Sequence, residues 1–152
     1  MQMDDPFDLQ RFVNAQESVF ATALEELQDG RKRSHWIWFI FPQLRGLGRS
    51  AAAEFYGIAS LDEARAYLAH PVLGPRLERA TRAVLATQGR TLHAIFGSPD
   101  EMKFHSSMTL FALAADEATT LYREALARYC NGRMDEATLT LLGRTKPAGP
   151  TL

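Results

Sequence analysis

The sequence predicts an all-α fold, a single-domain array of about seven to eight helices. Three observations predict it. Apolar residues recur at three- and four-residue spacing along most of the chain. Capping Ser, Thr and Asp precede those stretches, and Gly closes them. No alternating apolar and polar run is long enough to build a sheet. The 152 residues, 46% hydrophobic and 23% charged, match the size and composition of one self-folding domain. That domain is expected over residues 1–143, with 144–152 as a loose tail.

The elements follow in order. Asp5 and Pro6 supply a cap and a first-turn proline, and Leu9, Phe12, Val13, Gln16, Phe20, Leu24 and Leu27 continue as one long amphipathic helix ended by Asp29 and Gly30. Residues 34–44, SHWIWFIFPQL, are apolar on every side. Propensity leans towards a strand, but no partner strand is evident and an unpaired one would bury unsatisfied backbone, so the segment is read as a short core helix. Gly46 and Gly48 mark a loop, and Ser50 caps a turn over 51–56. Ser60 and Glu63 have capping-box spacing for a helix over 61–69, which His70 and Pro71 interrupt. Leu73, Leu77, Ala80 and Val84 rebuild a helical stripe that Gln88 and Gly89 stop. Thr91 caps a short turn, and Ser98, Pro99 and Glu101 combine a capping box with a first-turn proline. Asp116 is expected to cap the next helix, through Tyr129, and Asp135 the last.

Seventeen Lys and Arg against eighteen Asp and Glu leave almost no net charge, so a nucleic-acid partner is not expected. The basic cluster Arg31, Lys32 and Arg33 reads as a solvated loop at a helix C-terminus. The longest apolar run, 36–41, is far short of the roughly 20 residues that span a bilayer, and residues 1–8 lack the features of an export signal. A single cysteine, Cys130, rules out an internal disulfide and fits a buried small hydrophobe in a reducing compartment. A cytoplasmic protein is therefore expected. His35, His70, His93 and His105 lack metal-site spacing, so neither a metal nor another cofactor is expected.

Three blocks, residues 35–50 (HWIWFIFPQLRGLGRS), 70–77 (HPVLGPRL) and 95–112 (IFGSPDEMKFHSSMTLFA), together resemble the bacterial and fungal family known as domain of unknown function 1810, or Rv1873-like. The resemblance runs from about Asp5 to Leu142. It implies an all-helical, loosely solenoid-like fold and no established activity. Some members carry a calpastatin label, implying inhibition of a calcium-dependent protease; nothing in these residues supports it.

The polar residues inside these blocks are the candidates for a ligand site. Gly46, Gly48 and Ser50 expose backbone donors before a helix start; they lack the Gly-Lys-Ser/Thr ending of a phosphate loop, and a plain glycine turn with a serine cap is the favoured reading of them. Asp100, Lys103 and Ser107 share one helical stripe, with Ser106 beside it. A lysine beside a serine offers a nucleophile and its base; a salt bridge with hydroxyls bonded to the helix is the structural alternative. Gln43 can tie down loop backbone or select a polar ligand, and Arg76 can supply a counter-charge. Trp36 and Trp38 suit core packing or ring stacking, and His35 is expected to bond a backbone carbonyl within the core.

These features favour a small binding domain with a polar or anion pocket where the loop of residues 43–50 meets the start of the 100–107 helix. The alternatives are a protein-interaction module and an enzyme acting on a phosphorylated or nucleotide-like small molecule.

Overall fold

The computed structural model describes residues 5–143 and forms ten helices. The expected C-terminal tail, 144–152, lies outside the described residues. The helices are α1 (Gln10–Gln16), α2 (Phe20–Gln28), α3 (Ile37–Ile40), α4 (Ala51–Phe55), α5 (Leu61–Ala69), α6 (Leu73–Ala86), α7 (Leu92–Phe96), α8 (Asp100–Ala114), α9 (Leu121–Tyr129) and α10 (Glu136–Leu141). The all-helical class stands, with more and shorter helices than the sequence suggests. None is long and apolar enough to cross a membrane.

The extra helices have physical causes. The expected first helix is broken at residues 17–19, because α1 packs on α3 whereas α2 packs on α6. Gln16, at the break, turns its amide inward to the Phe39 carbonyl at 2.7 Å and the Tyr67 hydroxyl at 3.0 Å. Asp5 receives the backbone N–H groups of Leu9 and Gln10, so helix begins only at Gln10. The aromatic segment is a single turn, α3, followed by extended chain. Ile58 donates to the Gln43 carbonyl at 2.9 Å and accepts from Arg45 N–H at 2.8 Å, a single parallel bridge that satisfies the backbone after Pro42.

Local signals set several boundaries as expected. Ser50, Ser60, Thr91 and Asp135 each accept the N–H three residues on, and Glu63 Oε1 receives Ala59 N–H. Two expected caps differ. No side chain caps α8, where Pro99 holds the cap position and Glu101 faces His93 Nδ1 at 3.1 Å. Asp116 receives Thr119 N–H at 3.0 Å in a separate turn, and α9 starts later, at Leu121. At the α5–α6 corner, His70 Nδ1 accepts from Val72 and Leu73 N–H.

Helix α8 is the axis of the molecule, packed against α3, α5, α7, α9 and α10. It is accordingly apolar or buried on nearly every side, from Phe104 through Ser107, Met108 and Leu110 to Phe111 and Ala112. At its first turns Phe104 stacks on Phe96 with centroids 4.8 Å apart and meets the edge of Phe41 at 5.0 Å. Trp36, fully buried, packs against both Phe41 and Phe96. This aromatic layer is the floor on which the candidate site stands.

Candidate functional site

The site begins with a lysine in the loop after α2. Gly30 takes a positive φ of 75°, which only glycine adopts freely, and turns the chain back. Lys32 N–H then bonds the Ile95 carbonyl at 2.7 Å, fixing the loop against α7. Its side chain is only 6% exposed: the ammonium lies 2.8 Å from Asp100 Oδ2, bonds the Ser34 carbonyl and sits 5.1 Å from the Trp36 ring centroid. The expectation of a solvated basic loop thus holds for exposed Arg31 and Arg33 and fails for Lys32. The aromatic layer and a carboxylate from a distant helix draw it inward.

Asp100 is shared. Its Oδ1 lies 3.5 Å from Lys103 Nζ, one turn along α8, and that ammonium stands 5.8 Å from the Trp38 ring centroid. Ser107, one further turn along the same stripe, is fully buried. Among the described residues two buried side-chain polar atoms have no hydrogen-bond partner, Trp38 Nε1 and Ser107 Oγ. An unpartnered buried group costs about 1–3 kcal/mol, a cost the rest of the fold offsets. No bond joins Lys103 to Ser107, so this geometry does not arm the serine as a nucleophile.

Beside Lys32, Glu26 closes a second network. Its carboxylate receives Arg33 N–H at 2.7 Å, Ser34 N–H at 3.0 Å, the Ser34 hydroxyl and the Trp36 indole N–H at 3.0 Å. Burial pushes its pKa up, but the four hydrogen bonds outweigh that and hold it at about 2, well below the ordinary 4.5. Glu26 therefore stays ionised and locks the loop that delivers Lys32. Three of these bonds go to Oε1 and one to Oε2, and all four come from the Arg33–Trp36 segment, so Glu26 serves the site as a support.

The remaining sequence candidates divide. Gln43 is buried, and its amide nitrogen would lie 3.4 Å from a Cβ on Gly48, so loop and amide are packed together. Gly48 is held to glycine by the Ala53 side chain, 2.7 Å from such a Cβ. Gly46, with φ 107°, faces the Leu141 side chain of α10. Ser50 is the α4 cap. Ser106 donates to Asp135 Oδ2 at 2.8 Å, and Asp135 N–H bonds Thr109 Oγ1 at 2.8 Å, so Ser106 helps to anchor α10. Short α10 thus connects the 43–50 loop to α8. Arg76 belongs elsewhere: it bonds Glu17 at 3.1 Å and Gln16 at 3.3 Å and lies on the Phe20 ring. His35 is exposed rather than in the core, because its neighbour Trp36 takes the inward position.

What the structure brings together from the sequence candidates is therefore Trp36, Trp38, Asp100, Lys103 and Ser107. Lys32 and Glu26 were missed. Their one local signal is that a glycine-terminated helix delivers a lysine directly ahead of the aromatic run; their partners in α8 and at Trp36 are set by tertiary packing.

A protein-family model described as a protein of unknown function, DUF1810, matches residues 6–142. The crystal structure of the conserved hypothetical protein Rv1873 from Mycobacterium tuberculosis is similar over 93% of this chain and 100% of that one, with 55% sequence identity and a TM-score of 0.89. No curated protein matches the chain. The chain belongs to the DUF1810 family.

Proposed function

We propose that this DUF1810 protein is a binding domain that holds a small polar or anionic ligand at the seam between α3 and α8. The observation that carries the reading is the pair of buried, unpartnered groups, Trp38 Nε1, on the ring whose centroid lies 5.8 Å from Lys103 Nζ, and Ser107 Oγ, one turn beyond Lys103 on α8. An indole N–H, a hydroxyl and an ammonium form a donor set suited to carboxylate or phosphoryl oxygens. Asp100 divides its charge between two lysines, so Lys103 is held less tightly than Lys32, at 3.5 Å against 2.8 Å. Its long stem lets the ammonium leave the Trp38 face and follow a ligand.

The reading is tested by thermal-shift titration of the full chain with inorganic phosphate, nucleotides, sugar phosphates and small carboxylates. A ligand at about 100 times its Kd adds about 2.7 kcal/mol to folded-state stability, a midpoint rise of about 5 °C or more for a chain of this size. That rise should vanish in Lys103→Ala and shrink in Trp38→Phe, with both variants folded. No shift from any compound, or a shift that both variants retain, sinks the proposal.

A further inference from the structure

A second feature stands apart from the α3–α8 seam. The α5–α6 corner and the connection from α8 to α9 enclose a cleft of about 530 Å³, within the range that holds small organic ligands. Its shape follows from one glycine: a Cβ on Gly74 would come within 2.2 Å of the Leu68 carbonyl, so only glycine lets α6 start this close to the end of α5. Leu68, Pro75 and Leu121 line it with hydrocarbon.

The polar groups of this cleft are unequally satisfied. Arg65 is drawn off by Asp62 at 3.2 Å, and Glu78 is paired with Arg82 at 3.1 Å. Asp116 uses one oxygen to receive Thr119 N–H and has no cation partner among the described residues. Tyr122 is 3% exposed, lines the cleft, and its hydroxyl makes no hydrogen bond to the described residues. Burial and then the Glu78 carboxylate raise its pKa, against the opposing Arg82, so it remains a neutral phenol able to accept a hydrogen bond. A phenol hydroxyl free of protein partners and a carboxylate free of a cation, lining one cleft over an apolar floor, complement an ammonium group on a short hydrocarbon.

We propose that this cleft is a second ligand site, specific for a small organic amine whose ammonium is taken by the Asp116 carboxylate and the Tyr122 hydroxyl while its hydrocarbon lies on Leu68 and Pro75. It is independent of the α3–α8 site: Lys103 and Trp38 take no part in it.

The experiment is a titration of the full chain with n-butylamine, as its ammonium form at neutral pH, followed by amide NMR shifts, with butyrate as the chain-matched anion. Saturable binding with a Kd at or below about 1 mM is expected for so small a ligand, with shifts centred on the α5–α6 corner and residues 114–122. Asp116→Asn should weaken it about tenfold through loss of a charge-assisted bond, and Tyr122→Phe severalfold. The phenylalanine variant keeps the packed ring and loses only an unpartnered hydroxyl, so its thermal midpoint should hold or rise. Lys103→Ala should leave butylamine affinity unchanged. Failure to saturate, equal affinity for butyrate, or unchanged affinity in Asp116→Asn overturns the proposal.

Discussion

Arg11 and Lys32 are both buried cations paired with a carboxylate at 2.8 Å, and their surroundings could hardly differ more. All five N–H donors of Arg11 are used: Nε on Phe55 O, Nη1 on Phe7 O and Asp8 O, Nη2 on Gly57 O and Glu63 Oε2. Glu63 gives its other oxygen to Ala59 N–H. Every partner is protein, and the network joins α1 to the start of α5. Lys32 instead shares Asp100 with a looser lysine, in a neighbourhood that leaves an indole N–H and a serine hydroxyl unpaired. The first arrangement has nothing left to offer a ligand, whereas the second has donors in surplus. Hydrogen-bond accounting thus separates a structural ion pair from a candidate site where burial and distance do not.

The comparison can be broken most directly at its closed end. Glu63→Ala leaves the Arg11 guanidinium buried without its counter-ion, and denaturant unfolding should show a loss of about 3–5 kcal/mol. Lys103→Ala should cost far less; equal losses would remove the distinction. The next effect belongs to Glu26. Its pKa of about 2, against 4.5 ordinarily, means its contribution is complete above pH 4.5 and is lost as the pH falls from there towards 2. That contribution is on the order of 3 kcal/mol, so the stability advantage over Glu26→Gln should shrink across this window in acid-dependent unfolding curves. An advantage that is flat across the window would show that the four hydrogen bonds do not favour the ionised form. Asp135→Ala removes the α10 cap together with its Ser106 bond and should cost about 1–2 kcal/mol by thermal unfolding. Smallest is Ser107→Ala, which deletes an unpartnered hydroxyl: its unfolding free energy should stay within about 0.5 kcal/mol of the parent or rise. A loss of more than about 1 kcal/mol would mean that the hydroxyl is structurally engaged.

The same division runs through what the sequence makes legible. Ser50, Ser60, Thr91 and Asp135 announce helix starts because a cap bonds three residues ahead, within reach of local pattern. The Asp100, Lys103 and Ser107 stripe is legible for the same reason: helical spacing puts residues four apart on one side. Lys32 is illegible because its burial depends on Asp100, 68 positions away, and on Ile95, which holds its backbone. Arg76 is misplaced because its partners Gln16 and Glu17 lie 60 and 59 positions earlier, outside the three resembling blocks. The break between α1 and α2 has no Pro or Gly to mark it and follows from each half having a different helix to pack against.

The unequal settings of the two tryptophans give the molecule a built-in optical report. Trp36 is fully buried with its indole N–H fixed on Glu26, whereas Trp38 is partly exposed, has an unpartnered N–H and has the Lys103 ammonium 5.8 Å from its ring centroid. Because the chain has only these two, Trp36→Phe leaves a single emitter at the proposed site. Its colour and quenching would follow Lys103 lifting from the ring in real time, while Trp38→Phe leaves an emitter that senses only the interior.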